Sequence, residues 1–438
     1  MLDRLMQQAR DAVQVASSGG ADEAVATVAW GRSLEFKWRD GKVEKVQEDT
    51  SRGLSLALYV DGRFSVHSTN DLEVSRLADF VADAIALTRA LEPDEHRRIT
   101  PAELYEGRAE LDLELVDQSL AELGRDERLE WCQEMEAQAR SHGDVVSVTT
   151  GVGDSFGMSA ACSSNGFEGL RKSTSIAYGS EVTLAEGENR RPEAWRWVGA
   201  NHIQPLPAPV EVGKEALRRA LARLGATRGA SQRTAMVVDR EIGSALIGRM
   251  LGAMRAGAIQ QGRSFLAGRL GERIASPRFS LRDEPHLPRL GGSRLFDSEG
   301  IASQPRTVVE EGILSSFFVD TYYGSKLGME PTSGSASNLV LSPGEHDREA
   351  LLAEVGEGIY VCSWLGGNAN ATTGDFSFGV RGHLIRNGKL DAPVEEMNVS
   401  GNFLDLFSRL QLVGNDPVPW SSFRVPTLVF EDVQFSGS

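Results

Sequence analysis

Seven histidines are the first candidates for chemistry, at positions 67, 96, 142, 202, 286, 346 and 383, and they are scattered. A helical zinc site needs two imidazoles about one turn apart on one face, with a carboxylate between them to activate water. His67 and His96 are the closest pair in sequence, so neighbouring residues do not build such a site. His286 follows Asp283, Glu284 and Pro285, a composition typical of a solvated loop and also the one place where a relocated metal site can be imagined. His383, inside the expected strand segment Val380–Ile385, reads as a sheet histidine. Cys132, Cys162 and Cys362 are odd in number, far apart and without a CxxC pair, which suggests neither a disulfide framework nor a thiolate metal cluster. There is no GxSxG sequence for a nucleophilic serine. Gly366-Gly367-Asn368 and Gly151-Val152-Gly153 lack the GK[ST] ending of a phosphate loop, so turns or close backbone approach are the expected uses of these glycines.

One predicted helix is unusual. Asp239 reads as the cap of a helix running to about Gln260, and Gly243, Gly248, Gly252 and Gly257 interrupt its apolar pattern. Each glycine inside a helix costs about 1 kcal/mol relative to alanine, so another backbone packing closely is the simplest expectation. A former active-site helix is the alternative.

The elements that would position these residues give an α+β protein. An opening amphipathic helix precedes strands near Ala24–Val28, Leu34–Trp38, Val43–Gln47, Leu54–Val60 and Arg63–Ser68, with Asp40-Gly41 and Asp61-Gly62 as type I′ hairpin turns. A helix over Asp71–Leu91 completes a module at about 1–92, and residues 93–125 read as a connector. A second module, about 126–225, repeats the theme: helix Asp126–Ser141, strands Val145–Gly151, Ser155–Ser163, Glu168–Tyr178 and Val182–Ala185, then a helix near Val212–Leu224. Residues 226–438 read as a large, mostly antiparallel β domain with embedded helices. Its strands include Thr234–Val238, Ile313–Val319, Gly358–Cys362, Phe376–Leu384 and Thr427–Phe430, and Asn402 opens a short helix.

Length and charge bound the function. At 438 residues the chain exceeds what one core usually supports, which predicts two or more domains. A formal charge of −16 disfavours nucleic acid and anionic lipid as partners. Arg218, Arg219 and Arg223 cluster on one predicted helix and read as a solvated face. No long apolar segment or signal-like leader is present, so the expectation is a cytoplasmic protein without a membrane span.

A set of short motifs then carries a resemblance. Gln261-Gly262-Arg263-Ser264-Phe265 through Gly271-Glu272 is followed in order by Phe296-Asp297-Ser298-Glu299-Gly300, Glu311-Gly312-Ile313-Leu314 and Leu327-Gly328-Met329. Thr373-Gly374-Asp375-Phe376, Arg386-Asn387-Gly388-Lys389, Gly401-Asn402 and Val413-Gly414-Asn415-Asp416 continue it, and the Asp40-Gly41 and Asp61-Gly62 turns also suit it. Together they resemble the TldD/PmbA family over nearly the whole chain.

In that family the TldD-like branch carries HExxxH on a helix, with a cysteine nearer the C-terminus as third zinc ligand. Counting back from Gly262 puts Ile247 and Gly252 at the histidine positions and Gly248 at the glutamate, and no cysteine follows Asp416. This pattern resembles the PmbA branch, also called TldE and named for modulation of DNA gyrase. The resemblance implies a chain without zinc of its own that pairs with a TldD-like catalytic subunit carrying the zinc. Together they would enclose an unfolded peptide, in proteolysis, peptide maturation or antitoxin turnover. Gly366, Gly367, Asn368, Thr372 and Thr373 are then candidate peptide-binding residues, since an extended peptide binds through main-chain hydrogen bonds. The alternatives are a homo-oligomeric peptide-binding scaffold, such as a homodimer, and a peptidase with a relocated site around His286, Asp283 and Glu284.

Overall fold

In the computed structural model, which describes residues 1–437, long antiparallel strands organise the N-terminal half. In chain order its elements are α1 (Leu2–Ser18), β1 (Glu23–Arg39), β2 (Lys42–Val60), β3 (Arg63–Thr69), α2 (Val74–Arg89), α3 (Arg125–Ala139), β4 (Val145–Ser163), β5 (Glu168–Leu184), β6 (Glu193–Ala200) and α4 (Pro209–Leu221). The strands form one six-stranded sheet in the order β3-β2-β1-β4-β5-β6. Antiparallel pairing of β1 with β4, from Val25 opposite Ser163 to Arg39 opposite Thr149, joins the two helix-plus-meander modules.

Alternation along the strands sends one set of side chains to a single covered face. Ala24, Ala26 and Val28 of β1 and Leu54, Leu56 and Leu58 of β2 pack under α1 and α2. Phe36, Val152 and Tyr178 pack under α3 and α4. The two last helices approach closely because Gly213 of α4 lies against the backbone of Met135 in α3.

Four pairs of expected strands are single strands: 24–28 with 34–38, 43–47 with 54–60, 145–151 with 155–163, and 168–178 with 182–185. The alternation lapses between them because the sheet extends beyond its helical cover. Lys42–Arg52 of β2, for example, is exposed on both faces, so no buried side constrains its pattern. The turns expected at Asp40-Gly41 and Asp61-Gly62 hold: Asp40 and Asp61 have φ of 46° and 51°, followed by glycines at 79° and 74°, and Glu311-Gly312 and Asn387-Gly388 take the same pair of conformations.

The C-terminal half contains β7 (Thr227–Arg228), β8 (Gln232–Val238), α5 (Gly243–Ala253), α6 (Ala256–Gln260), β9 (Leu281–Asp283), β10 (Arg306–Glu310), β11 (Ile313–Leu314), α7 (Thr321–Leu327), β12 (Leu339–Leu341) and α8 (Arg348–Val355). It continues with β13 (Gly358–Ala369), β14 (Asp375–Arg386), β15 (Lys389–Asn402), α9 (Phe403–Ser408), β16 (Leu410–Val413), β17 (Phe423–Arg424) and β18 (Leu428–Ser436). Because β18 pairs with both β8 and β15, the strands β18-β8-β13-β14-β15 close on themselves around an aromatic core that includes Phe376, Phe378 and Phe435. A five-stranded sheet, β11-β10-β9-β12-β17, lies in the same half.

Three expectations are corrected here. The helix expected from Asp239 to Gln260 begins after Ile242 and breaks at Met254–Arg255, where Arg255 takes an extended ψ of 134° before α6. Asp239 accepts the Glu241 N–H at 2.8 Å and the Tyr360 hydroxyl, which hold it outside the helix. Ile313–Val319 is a strand only at its first two residues, after which the chain turns towards α7. Arg219 and Arg223 are not a solvated face: they pair across the two halves with Glu241 at 2.9 Å and Glu395 at 3.3 Å. Asn402 caps α9 through the Leu404 N–H at 3.0 Å, as its side chain predicts. Among the described residues no helix is long and apolar enough to cross a membrane.

Candidate functional site

The helix α5 forms because Leu246, Ile247, Met250 and Leu251 recur at helical spacing and are buried in the barrel-side core. Ile247 is completely buried. Gly248 and Gly252 lie on the opposite side, and a Cβ built on either meets no atom within 4 Å. The expected close backbone therefore does not account for these two glycines. Gly243 and Gly257 are explained by packing: a Cβ on either would lie 2.8 Å from a neighbouring carbon, of Val425 and of the Tyr323 ring respectively.

These positions do not fit a metal. Ile247 offers a hydrocarbon turned into the core, and the two glycines offer no side chain. Among the described residues no group of three or more His, Cys, Asp or Glu side chains is arranged to hold an ion.

The second set of candidates sits at the distal end of the β13–β14 hairpin. The register slips between Trp364 and Gly367, and Gly366 and Gly367 take φ of 98° and 126°. A Cβ on Gly367 would lie 2.1 Å from the Ser377 carbonyl oxygen, so close backbone approach dictates glycine there. Asn368 stands opposite Ser377 and is exposed. Thr372 donates its N–H to Asn370 Oδ1 at 2.9 Å, and Thr373 donates its hydroxyl to Asp375 at 2.6 Å. Hydrogen bonds from Thr373 and then Asn402 hold the Asp375 carboxyl below its ordinary pKa.

Contacts between these two sets place them side by side. Trp364 donates its indole N–H to the Ile242 carbonyl at 3.1 Å, anchoring β13 to the start of α5. The Arg249 guanidinium stands 5.9 Å from the centroid of Phe378, the residue opposite Gly367. Ser264 bonds the Ala253 carbonyl at 2.5 Å, and Phe265 N–H bonds the Ala371 carbonyl at 3.0 Å. Residues 262–265 thus link α5 to the hairpin turn, with Gly262 and Arg263 exposed and Ser264 and Phe265 buried. Trp364, Phe378 and Arg249 were not singled out from sequence. A run of arginines in a stretch nearly free of carboxylates was the available signal for the last of them.

The relocated-site reading finds no free constellation. Asp283 accepts from Arg306 at 3.0 Å and from the Ser337 N–H at 2.7 Å, and Glu284 pairs with Arg282 at 2.6 Å. His286 is left with a buried Nε2 that has no protein partner. His383 bonds the Ala222 carbonyl at 3.1 Å, and burial pushes its pKa down, which suits a neutral ring at the seam between the halves. A separate shallow, open depression of about 540 Å³, lined by Asp40, Gln133, Glu136 and Arg140, lies at the β1–β2 turn against α3 and shares no residue with α5 or the β13–β14 hairpin.

Comparison with known proteins matches three family models. These are PmbA/TldA metallopeptidase domain 1 over residues 24–88, the central domain over 118–224 and the C-terminal domain over 231–437. Metalloprotease PmbA of Escherichia coli O157:H7 is 26% identical over 438 residues, spanning 99% of this chain and 96% of that protein. A crystal structure from Bacteroides thetaiotaomicron, described as a candidate modulator of DNA gyrase, superposes with a TM-score of 0.96 at 38% identity, covering 99% of this chain and 98% of the other. TldE of Thermococcus kodakarensis has the same fold, with a TM-score of 0.86 at 18% identity over 98% of this chain and all of the other.

Proposed function

The chain belongs to the PmbA/TldD metallopeptidase family, and on that premise we propose that it is the non-catalytic subunit of a heteromeric zinc peptidase acting in the cytoplasm. The observation that carries this reading is the state of α5. A peptidase of this kind needs side chains that hold zinc and a base that activates water. Here the corresponding helix turns Ile247 into the core and presents Gly248 and Gly252 bare. The fold is kept around a helix without ligands, which suits a subunit that shapes the substrate chamber while a TldD-like partner carries the zinc and the chemistry. An unfolded peptide lying along the β13–β14 hairpin end, beside Gly366, Gly367, Asn368, Thr372 and Thr373, would meet exposed backbone and small side chains.

Two measurements test this. Elemental analysis of the purified chain should give less than about a tenth of an equivalent of zinc, rising to about one per heteromer when a TldD-like subunit is added. Peptide hydrolysis by the mixture should exceed that of either chain alone. One tightly held zinc in the isolated chain, or a partner whose activity this chain leaves unchanged, would overturn the proposal.

A further inference from the structure

We infer that the exposed face of α5 and the segment leaving it bind carboxylates, so that the peptides this subunit helps enclose are acidic ones; the inference rests on the peptide-handling reading above and names its substrate class. Between residues 242 and 282 the sequence carries seven arginines and a single carboxylate, Glu272, within a chain whose net charge is −16. Three of the arginines are engaged: Arg269 with Glu272 at 3.3 Å, Arg273 with the Glu311 carbonyl at 2.7 Å and Arg282 with Glu284 at 2.6 Å. Arg249, Arg255, Arg263 and Arg278 have no carboxylate within ion-pair distance among the described residues, and the first three are exposed on α5, its break and the loop that follows α6.

Their setting distinguishes these three from an ordinary solvated charge. Gly252 lies midway between Arg249 and Arg255, and Gly248 and Gly252 leave open space above the helix, so a peptide backbone can come close enough for both guanidinium groups to reach its side chains. Arg249 borders the Phe378 ring opposite Gly367. Arg263 lies two residues before Phe265, which is bonded to the hairpin turn at Ala371. The carboxylate at that turn, Asp375, is bound by Thr373 and Asn402 and does not neutralise the arginines. Charge-assisted hydrogen bonds from a planar guanidinium favour carboxylates in a way that neutral side chains cannot match. A polyphosphate would meet the field of the whole acidic chain, whereas a peptide brings only a few carboxylates to a local basic strip.

The test uses the full chain alone and a fluorescently labelled, unstructured peptide carrying several Glu residues, compared by anisotropy with the same peptide carrying Gln. The acidic peptide should bind about tenfold more tightly at low ionic strength, and high salt should erase the difference. Arg249→Glu with Arg255→Glu should abolish the preference while circular dichroism stays unchanged, and Arg249→Lys with Arg255→Lys should retain part of it. Equal affinity for the two peptides, or binding of neither, would overturn the inference. So would a single-stranded oligonucleotide that displaces the acidic peptide at lower concentration. Stimulation of a TldD-like partner is scored separately. Loss of stimulation with a retained Glu preference rejects the subunit reading and leaves the anion-binding face standing, and the reverse result rejects only this inference.

Discussion

The glycines of α5 divide into two classes, and that division makes a prediction with opposite signs on one helix. Gly248 lies in the middle of α5 and Gly252 in its last turn, and a Cβ added to either has nothing within 4 Å. Alanine should gain the helix-propensity difference, about 1 kcal/mol at Gly248 and less at Gly252 near the helix end. Together the two changes should stabilise the roughly 200-residue C-terminal region by about 1–2 kcal/mol, a rise of some 2–8 °C in its melting temperature. Gly243→Ala would instead drive a methyl to 2.8 Å from Val425, a completely buried side chain, and should destabilise by about 1–3 kcal/mol. Differential scanning calorimetry with far-UV circular dichroism would read both. Should Gly248→Ala/Gly252→Ala melt at or below the parent temperature, the open surroundings of the helix are misjudged. The same double variant should also weaken acidic-peptide binding, because methyl groups would hold the peptide away from Arg249 and Arg255. A variant that is more stable and binds undiminished would show that these glycines are not kept for the face they expose.

Further outcomes follow from other parts of the molecule. Gly213→Ala would place a methyl 2.3 Å from the Met135 carbonyl oxygen, so α3 and α4 must separate; a loss of about 1–3 kcal/mol is expected in urea unfolding, and an unchanged midpoint would refute it. Arg128, 4% exposed, holds Asp154 at 2.7 Å, so Arg128→Met should cost about 3–5 kcal/mol by leaving the carboxylate unpaired. Arg128→Met with Asp154→Leu should recover much of that loss, and failure to recover would assign the effect to packing. Glu215 titrates at about 2: burial alone would raise its pKa, but hydrogen bonds from Arg218 and Arg219 outweigh it. Its folded-state pKa is depressed, so its stabilisation is complete above about 4.5 and is lost as the pH falls towards 2. Glu215→Gln should flatten stability over that acid window, and an unchanged slope would remove Glu215 as its source.

How much of this was legible in sequence depended on whether the signal was local. The Asp40-Gly41 and Asp61-Gly62 turns were readable because the required positive φ belongs to two adjacent residues. Helix capping by Asn402 was readable for the same reason. Strand continuity was not, since 42–52 of β2 has no buried face to impose alternation. Barrel closure through Asn398 opposite Ser436 joins residues far apart in the chain and leaves no local trace. Arg219 and Arg223 looked like surface charge because their partners, Glu241 and Glu395, come from the other half of the molecule.

The candidate site shows the same limit in a sharper form. The family resemblance placed Ile247, Gly248 and Gly252 on one motif, yet the helix gives them different environments. Ile247 belongs to the core, where burying such a side chain contributes roughly 1.5–3 kcal/mol, so the fold depends on the residue at this position. Gly248 and Gly252 weaken the helix by about 1–2 kcal/mol together, and a Cβ on either would meet nothing within the chain. On the inference above, an approach from outside the chain accounts for positions that lower stability without an internal contact. The unpaired arginines on either side of Gly252 give that approach a chemical sign: the inner face of α5 serves the fold, and its outer face is shaped for a carboxylate-bearing chain lying close to the helix.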